Sequence, residues 1–439
     1  MASTYLQKTN VSQTLNSKFT ISVWVKRGEL SSSGMNAICG SDSTGSHATQ
    51  FFFDGPSLRF YDNFSSTDLV TTRKFRDTNA WYHIMAAVDT SQSTAADRVK
   101  IYVNGTQETS FATSNYPGQG DGMIININGY KFYVGTAETT GGSKFGYFDG
   151  CMSHFHFSDG QQLAPTVFGE TDSTTGEWKI KTSPSFTLGN NGFTILKDGN
   201  TITDQSSNSN NFTLGAGTLT NTEDNPSNIF AILNPLLPSN PSLTNGNLSL
   251  LSGSASWLGT ASTLGFSSGK FYYEVKITDV VNYTQLGVVD ESDVNGLAST
   301  YVGNKAKGWG YNAGTGEYYN NGTGTSYGAS YGNNDVIGIA IDADNNKLYF
   351  AKNGTWQNSG DPTSGATGTG AISISHATGY DTWFPAVSCN YIRANCNFGN
   401  GFFGSTAITS EGTNASGIGK FEYDVPTGYT ALSTKGLNE

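Results

Sequence analysis

Three groups of residues in this chain have the types and spacing to do chemistry. His154-Phe155-His156 would put two imidazoles on one face of a strand, the arrangement of a metal pair, with Cys151 just upstream. Cys151 lies an odd number of residues from both histidines, so a regular strand turns it to the other face. No carboxylate run accompanies the pair, and a structural or surface role is expected for it. Glu170 and Asp172, with Glu177, come nearest to the paired carboxylates that flank a glycosidic bond, but they stand in a Gly/Thr-rich segment with the wrong spacing. His47 and His376 are isolated, which leaves a His-based triad without support. The third group is aromatic. Trp257, Tyr301, Trp309, Tyr311, Tyr318, Tyr319 and Tyr327 cluster among Gly and Asn. Residues 311–328 have the composition of a binding surface, in which Tyr supplies rigid contact area and Ser, Gly and Asn supply adaptable hydrogen bonds. A pyranose face stacks on such rings as other apolar ligands do. Trp309 is expected to turn into a core. Some of Tyr318, Tyr319 and Tyr327 are expected to be exposed and, with Tyr301 and Trp257, form the candidate ligand-binding set.

The elements that must position these residues are short and numerous. Gly accounts for 54 of 439 residues, charged residues for 13% and aromatics for 13%. Aromatic and β-branched runs punctuated by Gly, Asn, Ser and Thr are the pattern of an all-β protein with many loops. The length suits two or three domains. A net charge of −11 and the lack of a basic stripe exclude phosphate-backbone binding as a main function, so no nucleic-acid partner is expected. Four cysteines, Cys39, Cys151, Cys389 and Cys396, are too few for a disulfide scaffold, and free thiols are expected. The first ten residues hold no apolar run of the kind a signal peptide needs, and no segment is apolar enough to span a bilayer, so no membrane insertion is expected.

Residues 1–170 read as a first β-sandwich. Phe19, Ile21, Val23 and Val25 alternate with Thr20, Ser22 and Trp24. Residues 50–54 and 57–61 flank Gly55-Pro56, a hairpin signal, and strands are expected over 81–89, 99–105, ending in an Asn-Gly turn, 130–135 and 148–157. The order of Thr20–Val25, Trp81–His83, Ile101–Gly105 and Phe148–Met152 resembles the laminin-G-like, or concanavalin-A-like, jelly roll. That resemblance implies a strand-face packing role for His83. The same fold hosts glucanases, whose E-x-D-x-x-E strand is absent here. It also implies calcium held at a rim by Asp carboxylates and backbone carbonyls. Asp42, Asp54, Asp62 and Asp89 lie at predicted strand ends and are the candidate metal ligands, against an ordinary role in capping turns. No cofactor is required.

Residues 171–245 read as an Asn/Ser/Pro-rich connector with short β-elements, its apolar patches 192–196 and 229–233 packing on a neighbour. The three prolines of residues 234–241 exclude a helix there. Residues 246–439 read as a second sandwich with a C-terminal tail. In residues 335–356 two apolar strands flank Asp344-Asn345-Asn346, and Asn353-Gly354 follows at once. This hairpin, with strands at 269–277, 285–289, 308–311, 383–388 and 396–399, resembles a SPRY domain, a β-sandwich that binds partners through its loops. The fold expected is thus all-β, two jelly-roll-type antiparallel sandwiches joined by the connector.

The pairing of these two domains, with the opening Met1–Leu6 and the late residues 425–437, resembles structural proteins of tailed bacteriophages. The resemblance implies a non-enzymatic virion surface protein, either a fibre-like adhesin for host attachment or a capsid decoration. Its implied partners are host-surface glycans and other virion proteins, and its implied assembly is a homo-oligomer, with a trimer favoured. Virion assembly in the host cytoplasm accords with the absence of a signal peptide. The alternatives are a purely structural joining protein that binds no sugar, and a cellular lectin-like protein.

Overall fold

The computed structural model describes residues 3–28, 30, 34–43, 47–139, 142–197, 201–238, 242–251, 256–278, 284–390 and 393–438. Met1 and Ala2 of the opening segment and Ser239–Pro241 of the proline-rich stretch lie outside the described residues. The chain divides into two compact units, Met1–Asn221 and Thr222–Glu439. No described helix is long and apolar enough to cross a membrane.

The first unit is built on two antiparallel sheets. One runs in the order Phe193–Ile195, Gly150–Asp159, Lys18–Arg27, Trp81–Asp89, Val99–Val103 and Thr106–Gln107. The other has eight strands, with His47–Asp54 and Met35–Ser43 at its centre and Tyr5–Thr9 near one edge. The alternation in Lys18–Arg27 does what its period demands: Phe19, Ile21, Val23 and Val25 enter the core, where each is fully buried. Burying one such side chain contributes about 1.5–3 kcal/mol. Thr20, Ser22 and Trp24 on the other face are buried as well, because residues 161–187 return over them; Thr20 Oγ1 donates to Gln161 O at 2.7 Å.

The connector is not a separate body. Residues 171–221 belong to the first unit and 222–245 to the second. Phe193–Ile195 pairs with Gly150–Asp159, Thr213–Ala216 pairs with Tyr5–Thr9, and Phe193 and Phe212 meet Phe132 edge to face in the first core. Phe230 through Leu233 are buried in the second unit. Patches this short cannot enclose a core of their own, so each completes its neighbour's.

The second unit also pairs two sheets. One contains Arg393–Asn397, Lys270–Ile277, Val336–Asp342 and Lys347–Lys352 in that order. The other runs Leu258–Ala261, Trp383–Cys389, Thr284–Asp290, Gly308–Asn312, Glu317–Asn320 and Thr323–Ser326. The hairpin read from the sequence is present, with Ile341 opposite Leu348 and Asp342 opposite Lys347. Asn346 takes a φ of 54° in its turn, and Asn353 and Gly354 take 48° and 78° in the next, the paired positive φ of a type I′ turn. Gly354 is also required by contact, since a Cβ there would stand 2.6 Å from the Tyr423 ring. Trp309 is a core residue, as its alternation predicts. All four cysteines are free thiols, and Cys39, Cys389 and Cys396 are buried.

Candidate functional site: an aromatic cleft in the second unit

Register decides which aromatic side chains meet. Gln285 pairs with Asn312, Gly287 with Gly310, and Gly310 with Tyr319, so Gln285, Asn312 and Tyr319 share the face of the sheet turned away from the core. Tyr311 pairs with Tyr318 on the core face. Residues 300–307 fold back over the outer face, held where Val302 N donates to Ser388 Oγ at 3.0 Å. The approach is close enough that a Cβ on Gly310 would lie 2.2 Å from Val302 O. This return places Tyr301 between Trp257, at the head of Leu258–Ala261, and Tyr319. The Tyr301 ring centroid lies 5.1 Å from that of Trp257 at 52°, and 5.9 Å from that of Tyr319 at 89°.

The three rings wall an open cleft of about 340 Å³, with Gln285, Asn312 and Thr315 also lining it. Asn312 Oδ1 accepts from Gly314 N at 2.9 Å and Thr315 N at 3.1 Å, which folds the loop at one end. Tyr319 Oη donates to Glu317 Oε2 at 3.2 Å; partial burial and the Glu317 carboxylate both push the Tyr319 phenol pKa up. Gln285 is 2% exposed, and its Oε1 is buried without a hydrogen-bond partner among the described residues. Among the described residues that line the cleft there is no lysine, arginine or carboxylate.

Of the five candidate ligand-binding residues, Trp257, Tyr301 and Tyr319 gather in the cleft. Tyr318 and Tyr327 do not. Tyr318 precedes Tyr319 by one residue and therefore points the other way, packing on the core and meeting Tyr327 edge to face at 6.1 Å. Tyr327 is buried rather than exposed on a loop: it packs on Tyr311 and Phe350, and Phe350 N donates to its hydroxyl at 3.3 Å. Gln285, Asn312 and Thr315 are cleft residues that sequence reasoning passed over. The signal for Gln285 was a polar residue directly before the run Leu286–Val289 in the strand Thr284–Asp290.

The candidate metal ligands lie apart and are engaged elsewhere. Asp54 and Asp62 sit at opposite ends of one hairpin, opposite Ser57 and Thr49, while Asp89 belongs to the other sheet. Asp54 meets Arg59 at 3.1 Å. Asp62 accepts from Thr49 Oγ1, from Ser65 N at 2.8 Å and from Ile124 N at 3.2 Å. Asp89 pairs with Lys18 at 2.8 Å and accepts from Ser91 N and Oγ. Asp42 is buried beside the strand Lys131–Val134. Among the described residues no group of three or more His, Cys, Asp or Glu is arranged to hold a metal ion.

The histidine pair is altered by a bulge. His154 has a φ of 48°, and the register shifts between Ser153 and His156. The extra residue changes the parity, so Cys151, opposite Lys26, and His156, opposite Ser22, lie on the same face. This corrects the expectation from a regular strand. His156 is spent structurally, with Nδ1 on Thr194 Oγ1 at 2.9 Å and its ring stacked on Phe168. Asp172, of the carboxylate group, is tied to Lys179 at 2.7 Å and to the amides of Thr174 and Thr175, which hold its pKa down.

Comparison with known proteins agrees with this architecture. Residues 1–168 match the concanavalin A-like lectin/glucanases superfamily, and residues 270–401 match the SPRY domain. Gln285, Tyr301, Asn312, Thr315 and Tyr319 fall inside the second match, and Trp257 precedes it. A probable ATP-dependent RNA helicase, ddx1, of Dictyostelium discoideum is 36% identical over 101 residues, which is 23% of this chain and 12% of the helicase. Similar solved structures include the SPRY domain of human HERC1, with 17% identity, a TM-score of 0.27 and coverage of 34% of this chain and 87% of that one. A human SPRY domain shows 20% identity, a TM-score of 0.25 and coverage of 34% and 90%. The TRIM65 PSpry domain shows 15% identity, a TM-score of 0.27 and coverage of 38% and 89%. The chain carries a concanavalin-A-like jelly roll followed by a SPRY domain, two β-sandwiches of the lectin-like and binding kind.

Proposed function

We propose that this protein is a non-enzymatic recognition protein of a virion surface, a fibre-like adhesin or capsid decoration, that binds host glycans or other virion proteins through the cleft of its second unit. The observation that carries the reading is the meeting of Trp257, Tyr301 and Tyr319 over a floor that contains Gln285. Aromatic walls with a few placed polar groups are what a recognition site needs. The acidic charge of the chain disfavours nucleic acid as the ligand. The virion setting and a homotrimeric assembly rest on the resemblance of the sequence to phage structural proteins. A purely joining role would be favoured by an exposed terminal segment available to another chain. Residues 421–432 do not favour it, since Phe421, Val425, Tyr429 and Leu432 are buried inside their own unit.

The test is retention of the purified chain on host-envelope preparations and on purified virions lacking it, beside its Trp257→Ala variant. Saturable retention that the variant loses supports the reading. Equal retention of a folded variant, or none by the parent chain on either material, overturns it.

A further inference from the structure

We infer that the cleft is a subsite for one uncharged pyranose ring, selected by a hydrogen bond to the side-chain amide of Gln285. The inference rests on the reading of the cleft as the recognition site and names the chemistry of what it takes.

Gln285 is the leading observation. A buried amide oxygen without a partner is costly, and the residue that carries this one is among those lining an open cleft. Rotation of the amide exchanges its oxygen and nitrogen, so the group can offer either an acceptor or a donor. A sugar hydroxyl is both and satisfies it in either orientation. The volume points the same way. A cleft of about 340 Å³ is at the small end of the range of roughly 300–1,000 Å³ for ligand sites, room for one ring and its substituents. The walls are not coplanar, since Tyr301 stands at 52° to Trp257 and at 89° to Tyr319, so they enclose a small ring from more than one side.

Charge separates the remaining ligand classes. An anionic sugar would find no cation among the described lining residues and would approach Glu317, whose carboxylate lies 3.2 Å from the Tyr319 hydroxyl. A quaternary ammonium would gain cation–π attraction from the three rings. It has no N–H or O–H to donate, however, and would seal Gln285 in unpaired. A neutral polyhydroxylated ring alone uses both the rings and the amide.

The experiment is saturation-transfer NMR and calorimetric titration of the full chain. The probes are methyl glycosides of glucose, galactose, mannose and N-acetylglucosamine, with N-acetylneuraminic acid and tetramethylammonium as the charged probes. The expected result is binding of at least one neutral glycoside and of neither charged probe. Gln285→Leu should then weaken that glycoside about tenfold or more, and Trp257→Ala should abolish its binding. Gln285→Glu, which keeps the shape of the side chain, should weaken it too if the leucine variant fails to fold. Wild-type affinity in folded Gln285 variants overturns the inference, as does cleft-dependent binding of tetramethylammonium or N-acetylneuraminic acid. If no neutral glycoside binds while envelope or virion retention still needs Trp257, this inference fails and the recognition reading stands. If Trp257→Ala changes neither, both fail.

Discussion

The indole N–H of Trp178 donates to Nδ1 of His83 at 3.1 Å, and that one bond sets the tautomer of a fully buried imidazole. With Nδ1 an acceptor, Nε2 carries the hydrogen and donates to Ser22 Oγ at 2.9 Å. Trp24 and Trp178 stack on the ring at 5.2 and 6.0 Å. Burial pushes the His83 pKa down to about 3, so the folded first unit holds it neutral while the unfolded chain protonates it near pH 6.5. Its contribution is complete above pH 6.5 and falls as the pH drops toward 3. At pH 5 the loss is about 2 kcal/mol. His156, lowered by burial, acts in the same direction. Thermal unfolding of the first unit, followed from pH 7.5 to 4.5, should show the decline. His83→Gln should shallow its slope by up to about 1.4 kcal/mol per pH unit, one proton's worth. An unchanged slope would show that His83 is not a source.

The second unit should respond in the opposite sense. Glu274 is fully buried and accepts from Glu422 N at 2.9 Å, Tyr423 N at 2.8 Å, Tyr272 Oη at 3.1 Å and Asn397 Nδ2 at 3.3 Å. Burial nonetheless raises its pKa to about 7. A carboxyl raised in the fold contributes most below its unfolded value of 4.5, and that contribution is lost as the pH rises through 7. The span corresponds to about 3 kcal/mol. Calorimetry of the intact chain should therefore show the two transitions moving in opposite directions between pH 5 and 7.

Glu274 also fastens residues 422–423 to the strand Lys270–Ile277. Glu274→Ala leaves two backbone N–H groups without their acceptor. It should cost about 2–5 kcal/mol and speed hydrogen exchange at Glu422 and Tyr423. Protection equal to wild type at those two amides would refute the clamp.

Adjacent tyrosines should separate stability from binding. Tyr319→Ala should remove ligand binding with little change in the unfolding temperature, since its ring faces the cleft. Tyr318→Ala should lower stability by about 1–3 kcal/mol, because its ring packs on the core and on Tyr327. It should bind normally at temperatures where it is folded. The reverse pattern would place the site on the wrong face of the sheet.

Gly310→Ala tests the return of residues 300–307. The new methyl would meet Val302 O at 2.2 Å, so the backbone carrying Tyr301 must move. A stability loss of about 1–3 kcal/mol is expected, with loss of binding. A crystal structure of the variant with Tyr301 unmoved would refute the account.

Much of the architecture was legible in the chain. The alternation in Lys18–Arg27, the turn at Asn353-Gly354 and the apolar pair Val336–Asp342 and Lys347–Lys352 each carry their conformation locally, through a side-chain period of two and tolerance of positive φ. The aromatic segment was also recognisable by composition, and three of its five candidates line the cleft. What composition could not supply was side. Tyr318 and Tyr319 are identical in type and adjacent in sequence, and only pairing with Gly308–Asn312 sends one to the core and the other to the cleft. The bulge at His154 likewise brings Cys151 to the face of His156, against simple counting. The fates of the four aspartates and of the connector depended on partners far along the chain. The sequence by itself determined which strands and turns form, because those preferences are local. The tertiary structure decided which side chains share a surface, because that depends on register, and a shift of one residue reverses every face.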